Sequence, residues 1–105
     1  MNSFKKRQDE FEKKFSHDEE LRFKVHSRCA KLFGLWVAEK LGKENEDAEN
    51  YAREMISLSM QKGGTDALKA KAKSDLEEKG ETLSDHQLDV TLSEKLEEAQ
   101  RQLTT

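Results

Sequence analysis

His26 and Cys29 stand three residues apart, and His17 and His86 add two further imidazoles to a chain of 105 residues. Imidazole and thiolate are the ligands of structural zinc, but such a site needs four convergent groups, usually supplied as two close pairs. Here a single pair at marginal spacing has no second pair to match it. A nucleophilic thiol is no better supported, because Cys29 falls on an apolar helical stripe and a thiol there is buried and inert. Gly63, Gly64 and Thr65 precede a helical segment and could present backbone N–H groups to an anion or a nucleotide phosphate. The stretch lacks the lysine-plus-hydroxyl pair of a phosphate loop, and a helix stop followed by a helix start accounts for the same residues. Carboxylates are abundant but alternate with lysine, as on solvated helix faces. The pattern contains no enzyme, and no metal or cofactor is expected.

The residues that stand out are apolar. Phe4, Phe11 and Phe15 are separated by seven and four positions, which sets three rings on one side of a helix. Asp9 with Lys13 and Glu10 with Lys14 are i,i+4 pairs in the favourable order. Helix is therefore the natural state of this segment, yet an isolated helix shorter than ~12–15 residues is marginal in water. The rings need a groove, either on the same chain or on another protein. A second anomaly is Gly34 inside "KLFGLW", since a mid-helix glycine costs about 1 kcal/mol relative to alanine. Gly34 would let another helix approach beside Trp36, within the fold or at a docking surface.

The elements that must carry these residues are all helical. Apolar residues make up 33% of the chain and charged residues 39%, proline is absent, and good helix formers dominate. The core must come from narrow stripes on solvated helices, in one small domain. Ser16 and Glu19 form a capping-box pattern ahead of a helix over about 17–41, with Leu21, Val25, Cys29, Leu32 and Trp36 as its stripe and Phe33 and Val37 widening it. Further helices are expected over about 46–61, capped by Asn45, and 66–79, capped by Thr65. The last, over about 85–103, starts at a capping box of Ser84 and Gln87 with Leu83 and Leu88 as a hydrophobic staple. Four helices with short connections make a bundle of mostly antiparallel neighbours. A mobile, nascent-helical segment over 1–16 precedes the bundle over 17–105.

A net charge of −3 with both signs interleaved is unlike a nucleic-acid or membrane-surface binder. No apolar run approaches a membrane span, and a lone cysteine suits a reducing compartment, so a cytoplasmic monomer without direct membrane insertion is expected.

The stretches "FEKKFSHDEELRFKV" and "KLFGLWVAEKLG", at their observed separation, resemble the zeta subunit of bacterial ATP synthase. The resemblance runs strongly from Arg7 to about Gly42 and, through helix pattern and length, weakly to the end. It implies a four-helix bundle whose amino-terminal segment enters the interface between the alpha and beta subunits of the catalytic head, near the gamma subunit. There it folds as a helix and blocks rotation in the hydrolysis direction, in a protein peripherally associated with the membrane-bound enzyme. By position, the resemblance assigns partner contact to Phe4, Arg7, Phe11, Lys14 and Phe15. His17, Asp18, Phe23, Lys24, Gly34 and Trp36 continue the family signature into the bundle. Lys5 and Lys6 depart from the acidic residues usual there and give residues 1–16 five basic against three acidic side chains. That departure leaves open a helical adaptor for another protein partner, and the Gly63-Gly64-Thr65 turn leaves open a nucleotide or anion sensor.

Overall fold

The computed structural model of the chain describes residues 3–104, and residues 1 and 2 of the amino-terminal segment lie outside them. The described residues form five α-helices: α1 (Ser3–Lys14), α2 (Glu19–Lys40), α3 (Asn45–Ser59), α4 (Gly64–Glu78) and α5 (Asp85–Thr104). Their starts show which local signals governed. At α5 the capping box forms in both directions: Gln87 N–H donates to Ser84 Oγ at 3.1 Å and Ser84 N–H to Gln87 Oε1 at 2.8 Å. At α2 the expected Ser16 cap is replaced by Asp18, whose Oδ1 accepts from Leu21 N–H at 2.9 Å. The reason lies in the preceding turn. Phe15 N–H still bonds Phe11 and Asp18 N–H bonds Phe15, so the chain reverses over Ser16 and His17 and delivers Asp18 to the cap. Two other expected caps also move: α3 has Glu44 at its cap position, and α4 has Gly63, in the left-handed conformation, rather than Thr65.

Contacts fix the helix directions. Gly34 meets Ala52 and Met55, Tyr51 bonds Asp75, and Lys73 pairs with Asp85, so α2 through α5 run alternately up and down. Arg28 Nη1 donates to Gln102, which sets α5 antiparallel to α2 as well. α2 packs most heavily, on both α3 and α5. Accordingly its buried residues are Val25, Cys29, Phe33 and Val37, in steps of four, with Ala30, Gly34 and Ala38 beside them, while Leu21, Leu32 and Trp36 are only partly covered.

The cost of Gly34 is offset here. A Cβ at this position would lie 2.9 Å from Ala52 Cα and 3.1 Å from Met55 Cγ, so glycine permits the close approach of α3. Trp36 stacks on Phe33 at 6.0 Å, with Lys40 Nζ 5.0 Å above its ring.

α1 is the element for which the sequence left two grooves open. It lies along α5, and Phe4 and Phe11 join the same core as the other helices, at 5% and 3% exposure. It runs parallel to α5, because Ser3 meets Asp89 and Arg7 meets Ser93 and Glu97. The segment expected to be a mobile forerunner of four helices is thus a formed fifth helix, seated on its own chain.

Candidate partner-binding segment

The aromatic face of α1 is split between core and surface. Phe4 and Phe11 point inward, whereas Phe15, in the turn after the helix, is half-buried and packs its ring 5.0 Å from that of Phe11. Lys14 is exposed, with Nζ 5.4 Å over the Phe15 ring. Arg7 is held twice: Nε donates to Ser93 Oγ at 2.9 Å, and Nη1 lies 3.0 Å from Glu97 Oε2. Of the five residues marked for partner contact, Phe4, Phe11 and Arg7 are therefore engaged within the chain, while Lys14 and Phe15 are reachable from solvent.

The start of α1 is satisfied by a residue from the far end of the sequence. The Asp89 carboxylate accepts from Ser3 N–H at 2.7 Å and from Phe4 N–H at 3.4 Å, and is itself nearly buried, with Lys69 Nζ at 4.0 Å. The first amides of a helix have no intrahelical partner, and a carboxylate there also meets the positive end of the helix dipole. Asp89 does for α1 what a local cap does for other helices. Sequence patterns did not single out Asp89, Ser93 or Glu97. The only signal is their spacing of four beside the apolar stripe of Leu88, Leu92 and Leu96.

Under α1 lies His26. Its ring is 6.1 Å from Phe11, and its Nε2 is 3.7 Å from Glu12 Oε1, beyond hydrogen-bond reach, so the nitrogen is buried without a partner. Burial pulls the imidazole pKa below its ordinary value of 6.5, assisted by Arg22 and opposed by Glu12. The Glu12 contact is therefore best described as a neutral imidazole beside a carboxylate. Cys29, one turn on, is buried with Sγ donating to Leu92 O at 3.8 Å, and burial pushes its thiol up to about 12. Such a thiol is protonated at neutral pH and is not a nucleophile. Among the described residues no group of three or more His, Cys, Asp or Glu side chains could hold a metal ion.

The other signature residues are placed as follows. His17 is exposed in the turn, Asp18 caps α2, Lys24 pairs with Glu20 at 3.0 Å, and Phe23 stands out at 58% exposure. At the turn of Gly63, Gly64 and Thr65, the Gly64 N–H is spent on Gln61 O at 2.9 Å. A Cβ on Gly64 would lie 2.7 Å from Ser59 O and 2.8 Å from Leu58 O, so this glycine lets α4 start against the end of α3.

With this geometry in place, comparison with protein families is decisive. The model of the family described as ATPase inhibitor subunit zeta matches residues 1–102. The chain belongs to that family. No curated protein matches it individually. Membership in the zeta family makes the chain an ATPase inhibitor subunit by kind, associated with ATP synthase. It also suits the absence of any helix long and apolar enough to cross a membrane among the described residues. The matched residues include all of α1.

Proposed function

We propose that the chain inhibits ATP hydrolysis by bacterial ATP synthase through its amino-terminal helix. Residues 1–16 act as the inhibitory segment and residues 17–105 as a carrier built on the four helices α2–α5. The segment leaves its seat and inserts between the alpha and beta subunits of the catalytic head, near gamma. There Phe4, Phe11 and Phe15 fill apolar pockets while Arg7 and Lys14 pair with acidic groups. The effect is a wedge that blocks rotation in the hydrolysis direction. The protein works as a cytoplasmic monomer, attached peripherally to the membrane-bound enzyme.

One observation carries this reading. α1 is a separate 12-residue amphipathic helix with spaced aromatic anchors, joined to the rest by a short turn, in a chain whose family is that of an ATPase inhibitor. Helices of that length and pattern are the units that dock into grooves of partner proteins. Adding the purified chain to hydrolysing ATP synthase should suppress turnover, and a version lacking residues 1–16 should not. Equal inhibition by both would move the activity to the carrier; no inhibition by either would remove it.

A further inference from the structure

Phe4, Phe11 and Arg7 cannot serve a partner and the core of their own chain at once. From that exclusion and the contacts of α5 we propose that Asp89, Ser93 and Glu97 form an intramolecular latch. It holds α1 seated and sets the fraction of molecules whose arm is free. The three residues recur every four positions, so they form one polar stripe along α5. Each position has a distinct task. Asp89 caps the first two amides of α1, Ser93 accepts from Arg7 Nε, and Glu97 closes on Arg7 Nη1.

Asp89 is the strongest member. It is 5% exposed, and a nearly buried carboxylate is costly unless its lone pairs are satisfied. Two amides of α1 satisfy it, and Lys69 Nζ lies 4.0 Å away. Opening of α1 therefore releases two Phe side chains, one Arg and the ligands of one buried acid together. That coupling makes the seated and free states discrete. A partner that binds only the free arm sees an apparent dissociation constant equal to the intrinsic one divided by the free fraction. The latch thus tunes inhibition without touching the partner; this last step rests on the proposed function.

The test uses the full chain. Amide hydrogen exchange is measured on the wild type, on Asp89→Ala and on Glu94→Ala, an exposed neighbour on α5 that serves as control. Loss of an N-cap of this kind corresponds to a roughly two- to thirtyfold larger open population. Exchange over residues 4–14 should rise by that factor in Asp89→Ala, with α2–α4 unchanged and Glu94→Ala like wild type. Unchanged protection of α1 in Asp89→Ala overturns the latch, and so does a uniform rise across all five helices. The same variants are then titrated against hydrolysing ATP synthase. Greater potency of Asp89→Ala supports the latch and the inhibitory arm together. Faster α1 exchange with unchanged potency keeps the latch and removes α1 as the inhibitor.

Discussion

Phe11 and Phe15 touch, with ring centroids 5.0 Å apart, yet only Phe11 is committed to the core, at 3% exposure, while Phe15 remains half-buried. Replacing each alone separates docking from inhibition. A Phe→Ala change in a rigid core costs ~3–5 kcal/mol, but α1 is a terminal helix that can leave. Phe11→Ala is therefore expected to melt α1 selectively, with circular dichroism losing about one short helix and the resonances of α2–α5 staying in place. Phe15→Ala should keep helix content near wild type and weaken inhibition. Global unfolding of Phe11→Ala would show that α1 is an inseparable part of the core.

Gly34 supplies a prediction about the carrier. Alanine would gain about 1 kcal/mol of helix propensity, but its Cβ would press on the backbone Cα of Ala52 at 2.9 Å. Overpacking of this kind costs ~1–3 kcal/mol. Met55 can swing away, whereas the α3 backbone cannot without shifting the helix. Gly34→Ala should lower the unfolding free energy by up to ~2 kcal/mol net of that gain, read as a lower urea midpoint. A midpoint at or above wild type would mean that α2 and α3 separate readily.

The contrast between these residues shows what the sequence could reveal. Gly34 and the Ser84–Gln87 box act on neighbours in the chain or on the helix face opposite, and both were legible from residue type and spacing. The expected α2 stripe is buried at Val25 and Cys29, but it continues through Phe33 and Val37, expected only to widen it, and not through Leu32 and Trp36. α2 faces α3 and α5 together, so its buried face joins Val25, Cys29, Phe33 and Val37 with Ala30, Gly34 and Ala38 beside them. The cap moved from Ser16 to Asp18 because a turn stabilised by Phe11 and Phe15 carbonyls intervenes. The phenylalanines announced a need for burial, but not where. The answer depends on Asp89, 86 residues from Ser3, and no local pattern links the two.

His26 makes the seating of α1 sensitive to pH. Its pKa is lowered in the folded chain, chiefly by burial, with Arg22 on α2 assisting and Glu12 on α1 opposing. Above the ordinary value of 6.5 the imidazole is neutral whether α1 is seated or free, and seating carries no penalty. As pH falls below that value, the free state takes up the proton first and the seated state loses stability. Exchange of α1 amides, corrected for intrinsic rates, should thus be faster at pH 5.5 than at pH 7.5, and His26→Gln should flatten the difference. An equal pH response in His26→Gln would assign it to the carboxylates instead.

The proposed function requires the arm to leave its own core and enter the catalytic head. The most direct measurement is photo-crosslinking from a benzophenone side chain at position 15, which is half-exposed and leaves Phe4, Phe11 and the Asp89 contacts intact. With ATP synthase under hydrolysing conditions, cross-links to the alpha and beta subunits should appear as inhibition sets in. Cross-links confined to the chain itself while hydrolysis is inhibited would contradict it.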